Sequence, residues 1–155
     1  MNNIIKLENI QELILVIRGE KVIIDSDVAV LYGVETKRIN EAVKNNPDKF
    51  PAGYIIYLKS SEWESLKSKF SSSTKGGKVK LPSAFTEKGL YMLATILKSK
   101  IATKTTLAII ETFANMRELS RNLNNLSIIN NEEEKREVLK KVVKFSLNYS
   151  TTISK

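Results

Sequence analysis

The chain has 155 residues, a length that suits one compact domain with an appendage. Its content of 42% hydrophobic and 27% charged residues is that of a folded globular protein. With no cysteine and no histidine, it has no disulfide, no thiolate metal site, and none of the usual nucleophile–base pairs or imidazole proton shuttles. The formal net charge of +8 favours a polyanionic partner. No apolar run approaches the roughly 18–20 residues that span a bilayer. The start, MNNIIKLENI, lacks the basic and continuous apolar regions of a signal peptide. A cytoplasmic protein without membrane contact is expected.

In chain order, ELILVIRGEKVIID is two β-branched runs around a glycine and reads as a β-hairpin turning at Gly19. Asp25 or Ser26 is placed to cap the helix that follows, which should run to about Tyr32. Gly33 breaks it, and a second helix is expected from about Glu35 to Asn45. Pro47 and Pro51 make NNPDKFP a turn and loop. YIIYL, residues 54 to 58, is a strand candidate. Ser61 with Glu64 fits a capping box, so SEWESLKSKF should be a helix carrying Trp63, Leu66 and Phe70 inward. SSSTKGGK is a small, polar loop, and VKL before Pro82 reads as a short strand, which makes the loop the tip of a β excursion. Thr86 can cap a helix reaching about Lys98, in which Gly89 weakens the first turn. A longer helix is expected from about Thr103, with Ile109, Phe113, Met116, Leu119 or Ser120, Leu123 and Leu126 on one stripe. An asparagine-rich stretch then leads to a final amphipathic helix, EEEKREVLKKVVKFSLNY, acidic at its start and basic later.

DSDVAVLYGVETKRINEAVK, residues 25 to 44, fits the packing demands of a helix-turn-helix. That motif needs a small residue where the helices touch, a residue tolerant of positive φ four places later, and apolar side chains in the angle. Ala29 and Gly33 meet the first two demands, and Val28, Tyr32, Val34, Ile39 and Ala42 the third. Glu35, Thr36, Lys37, Asn40, Glu41 and Lys44 then point outward, with Arg38 at the flank. Asn40 suits adenine, Lys37 or Arg38 guanine, and Lys44 a phosphate. The same stretch also reads as two small helices meeting at a bend, since residues 21 to 50 hold five basic and five acidic side chains.

The positive excess lies downstream. Six lysines stand against Glu62 and Glu64 between Lys59 and Lys80, and Lys98, Lys100 and Lys104 form a cluster without an acid. Lys75, Lys78 and Lys80 on the β excursion would act as a wing along a nucleic-acid backbone, or form a solvated lysine-rich loop. Lys98, Lys100 and Lys104 have the same two readings. GGK is not a phosphate-binding loop, because Val79 stands where Ser or Thr is required. Trp63, Tyr54 and Tyr57 read as core residues rather than base-stacking platforms.

With GEKVIIDSDVAVLYGVETKRINEAVKNNPDKFP and GGKVKLPSAFTEKGLYMLATILKSKIA placed, the chain resembles the ORF-6-N domain family over about residues 14 to 118. LYGVETKRINEAV, NPDKFP, LPSAFTEKG and the aliphatic helix ending in LKS carry the resemblance. The family occurs in phage and prophage proteins and is associated with the KilA-N DNA-binding domain. The resemblance implies DNA binding inside antirepressor-like or other regulatory proteins, and binding in place of catalysis. Asn45 and Lys49 stand where the family tends to have arginine, which removes one charge and exchanges a planar fork for a point charge at the other.

The expected fold is α+β and mainly helical, with a helix-turn-helix, a small antiparallel sheet or wing and a C-terminal helical extension. Residues 1–120 would form the DNA-binding domain and 121–155 a linker and helix available for oligomerisation. The expected partners are double-stranded DNA and a second copy of the chain, with no cofactor, metal, small-molecule ligand or catalysis. The alternative is a non-catalytic interaction module that binds a repressor or replication protein without touching DNA.

Overall fold

The computed structural model describes residues 9–67, 80–128 and 131–154, with side chains as far as Lys144. It is an α+β protein, with 68% of the described residues helical, around one small antiparallel sheet. The elements are α1 (Ile10–Leu13), β1 (Leu15–Ile17), β2 (Glu20–Ile24), α2 (Asp25–Tyr32), α3 (Thr36–Lys44), a 3₁₀ turn (Pro47–Lys49), β3 (Ile55–Tyr57), α4 (Ser60–Lys67), β4 (Ser83–Thr86), α5 (Glu87–Ala94), α6 (Lys100–Ile128) and α7 (Glu132–Ser154).

The expected hairpin is present. Leu15 faces Val22 and Ile17 faces Glu20, so Arg18 and Gly19 alone make the turn, at φ 54 and 79. Positive φ at both positions matches the twist of the strands, and glycine adopts it freely. Arg18 does not. It is held there by a two-pronged contact with Glu62, at 2.8 and 2.9 Å, and by donation to the Tyr57 carbonyl at 3.2 Å.

The sheet order is β1-β2-β4-β3, antiparallel throughout, so β3 lies at an edge and β4 is interior. Side chains alternate between its faces. Ile23, Ile55 and Phe85 join one cluster with residues of α1, α2, α3, α5 and α6. Val22, Ile24, Ile56 and Ala84 join another, covered by Trp63 and Leu66 of α4. Phe70 lies outside the described residues.

Several local expectations change. Of the strand expected at VKL, Val79 lies outside the described residues and Lys80 and Leu81 are not in a strand, which begins at Ser83. Proline has no N–H to give a ladder, and Pro82 contributes only its carbonyl, to the Leu58 N–H at 3.3 Å. The Ser61–Glu64 capping box does not form. The Lys59 N–H is taken instead by Glu62, at 2.8 Å, and α4 starts at Ser60. Thr86 caps α5 through the Gly89 N–H, as expected, but α5 ends at Ala94 and not near Lys98. The Thr95 hydroxyl there binds the Met92 carbonyl at 2.6 Å and competes with helix continuation. Because the Ser99 hydroxyl takes the Ala102 N–H, α6 starts at Lys100, earlier than Thr103. Gly89 has a packing role: a Cβ there would run into the Tyr54 carbonyl, which receives the Thr86 N–H and hydroxyl.

Ile109 and Phe113 of α6 are buried in the larger cluster, so the first half of α6 completes that core. α6 also contacts α7. Half-buried Leu119, Asn122 and Leu126 on α6, and Lys135, Val138 and Val142 on α7, recur every three or four residues. No described helix is long and apolar enough to cross a membrane.

In a solvent-exposed helix, Gly→Ala ordinarily stabilises by about 1 kcal/mol. Gly89→Ala should reverse that sign and destabilise by about 1–3 kcal/mol, because the new methyl meets fixed backbone; urea unfolding reads the difference. Arg18, and then the Lys59 N–H, hold the Glu62 carboxyl down at about 2, against an ordinary 4.5. A depressed acid stabilises the fold above its unfolded value, and that stabilisation is lost as pH falls from about 4.5 towards about 2. Glu62→Gln should therefore flatten the fall in the urea midpoint across that window.

Candidate nucleic-acid interface

α2 and α3 meet at Gly33, which is left-handed at φ 69 and closes α2 by donating to Val30; the next N–H, of Val34, donates to Ala29. Val28, Ala29, Tyr32, Ile39 and Ala42 are buried and Val34 is half-buried, so each inward position read from the sequence faces the core. α2 is pinned to α6 by the Thr105 hydroxyl, which donates to the Leu31 carbonyl at 3.0 Å, and by the contact of the Tyr32 and Thr106 hydroxyls at 2.8 Å.

Asp25 does not cap α2. The cap residue is Ile24, without a side-chain bond, and Asp25 is the first helical residue, with its side chain turned away and buried. Its Oδ2 accepts from Asn40 Nδ2 at 3.2 Å and from the Ser83 N–H at 3.4 Å. The Ser83 hydroxyl lies 3.3 Å from the same oxygen and 3.4 Å from Asn40 Oδ1, and donates to one of them at a time. One carboxylate oxygen thus joins the start of α2, the middle of α3 and the first residue of β4. Burial, and then the neighbouring Asp25 carboxylate, push the Asp27 carboxyl up.

Asn40 was expected to point outward and read a base. It is half-buried, and both ends of its amide face Asp25 and Ser83. Lys37, Glu41 and Lys44 are exposed at helical spacing and do share one outward face. That face forms one wall of a groove of about 470 Å³, whose other side is Ile55 and Tyr57 of β3 with Lys80 and Ser83. Three lysines and one glutamate therefore surround a floor that is part aromatic and part hydroxyl.

Of the residues singled out from the sequence, Lys37, Asn40, Lys44 and Lys80 come together in this groove. Thr36, half-buried, and Arg38, exposed, lie on α3 outside its lining. Lys75 and Lys78 lie outside the described residues. Tyr57 and Ser83 were missed. Tyr57 was read as core, yet it is 66% exposed, because edge strand β3 is not covered at that end. Its alternation with buried Ile56 was the available signal. Among the described residues no cluster of acidic side chains could hold a metal ion.

A family model for the ORF6N domain matches residues 12–96, more than half of the chain, from α1 to the end of α5. The chain belongs to the ORF6N domain family. No curated protein and no solved structure is significantly similar to it.

Removing Asn40 leaves the buried Asp25 carboxylate one donor short. Asn40→Ala should cost about 1–3 kcal/mol in stability, while Lys37→Ala, at an exposed position, should stay within about 0.5 kcal/mol of the parent. Thermal unfolding of the two variants makes the comparison.

Proposed function

We propose that this ORF6N protein is a DNA-binding regulatory protein of the phage or prophage type, acting in the cytoplasm. α2, Gly33 and α3 act as a helix-turn-helix, with α3 in the major groove. The observation that carries this reading is the pairing of an inward face packed as the motif requires with an outward face that presents Lys37, Glu41 and Lys44 together. Lys37 addresses guanine and Lys44 a phosphate, while Glu41 can accept from cytosine N4. Arg38 and Thr36 flank the reading face. Lys80, with Lys75 and Lys78 shortly before it in the sequence, supplies backbone contacts. Asn40, in the groove between Lys37 and Lys44, steadies α3 through its bonds to Asp25 and Ser83. The proposal includes no cofactor and no catalytic step.

A single reading helix covers few base pairs, so a homodimer on two half-sites is part of the proposal. Exposed Leu123 and Ile128 on α6 and Leu139 and Val143 on α7 offer apolar surface for it. The same surface supports a second reading, an antirepressor-like module that holds another protein and leaves DNA alone.

Binding to a labelled mixed-sequence duplex at several salt concentrations separates the two. Affinity should fall steeply with salt, and Lys37→Glu with Lys44→Glu should weaken binding at least about tenfold, equivalent to about 1.4 kcal/mol, without changing the melting temperature. Absence of binding at low salt would remove the DNA reading and leave the interaction module.

A further inference from the structure

A second concave surface lies away from the α3 groove, at the junction of α5 and α6. It is a shallow groove of about 500 Å³, with Ala94, Leu97 and Leu107 as its apolar part and Lys98, Lys100 and Lys104 along it. All three lysines are exposed, and among the described residues none has a carboxylate partner.

These lysines work against the helix that carries them. Lys100 and Lys104 are like charges one turn apart, and all three sit near the helix end where the backbone dipole is already positive. Each effect costs a few tenths of a kcal/mol or more. A cluster that local electrostatics opposes is better accounted for by a ligand than by folding. Its composition specifies the ligand class. A sugar–phosphate backbone alternates an anionic oxygen cluster with an apolar sugar face, and this groove offers cations beside aliphatic surface.

Position supplies the connection to the reading head. Thr105, next to Lys104, holds the Leu31 carbonyl, and Thr106 holds the Tyr32 hydroxyl, both immediately before Gly33. The lysine cluster and the start of α3 therefore flank the same turn.

We infer that Lys98, Lys100 and Lys104 form a second nucleic-acid surface that grips the sugar–phosphate backbone beside the segment read by α3. It rests on the DNA reading above and adds to it a site that contributes affinity without sequence choice. The test uses the full chain and the triple variant Lys98→Gln, Lys100→Gln, Lys104→Gln. Removing charges that oppose α6 should leave the melting temperature unchanged or higher, so misfolding does not confuse the result. Three lost phosphate contacts should make the negative slope of log K against log salt shallower by about two to three. The ratio of affinities for the preferred duplex and a scrambled one should stay the same. A wild-type chain that binds no duplex would overturn the DNA reading itself. A wild-type chain that binds, with an unchanged slope in the variant, would overturn the second surface alone. So would an unchanged slope accompanied by loss of self-association in light scattering, which would assign the groove to a second copy of the chain.

Discussion

The arrangement of this protein turns on one buried oxygen, Oδ2 of Asp25. Asp25 follows the last residue of β2 and opens α2, Asn40 lies in the middle of α3, and Ser83 opens β4. Burying a carboxylate is costly unless donors surround it, and the donors come from residues 15 and 58 positions away in the chain. The node can be satisfied only when sheet and helix pair are both in place. α2 gives up a side-chain cap for it, since the residue that could have capped it is turned towards α3.

The apolar side of α3 alone would hold it less uniquely. Ile39 and Ala42 seat the helix on the larger cluster, but burial of this kind is non-directional and tolerates sliding. Hydrogen bonds at 3.2 to 3.4 Å between Asp25, Asn40 and Ser83 fix which turn of α3 faces β4, and with it the placement of Lys37, Glu41 and Lys44. The opposite wall is placed independently. Gly89 lets α5 approach the Tyr54 carbonyl, Thr86 donates to that carbonyl, and Arg18 takes the carbonyl of Tyr57. Edge strand β3 is thus held at both ends, with the Tyr57 ring left at the groove.

Features set by short-range rules were legible in the sequence. The hairpin, the Gly33 break, the Thr86 cap and the inward faces of α2 and α3 follow from periodicity and residue type within a few positions. Misread features depend on distant partners. Asn40 occupies an outward helical position, and nothing within a turn of it says that Ser83 will arrive there. Ser61 and Glu64 satisfy a local capping pattern, but Glu62 is engaged by Arg18 from 44 residues away, and the helix starts where that pairing allows. Tyr57 looks like a core residue until the strand order leaves β3 without an outer neighbour. In the candidate groove, the cations and Asn40 were foreseeable from α3, whereas Tyr57 and Ser83, brought in by the sheet, were not.

On the proposed reading, the charge pattern divides labour between surfaces. Glu41 lies one turn from both Lys37 and Lys44 and offsets one of them, so the outward face of α3 carries only part of its positive charge into a field of phosphates. Such a face gains less from nonspecific attraction, and it gains most where base edges match its donors and acceptor. Beyond the phosphate contact of Lys44, the pull on any duplex comes from Lys80 and from the lysines at the start of α6, which have no acids beside them. That separation has a kinetic consequence. A weakly charged reading helix does not pin the protein at each wrong site, while a basic flank keeps it near the duplex, which favours sliding and hopping between sites. Further positive charge placed on α3 itself would strengthen binding everywhere and narrow the gap between right and wrong sequences, so the charge that Glu41 offsets on the reading face serves selectivity directly.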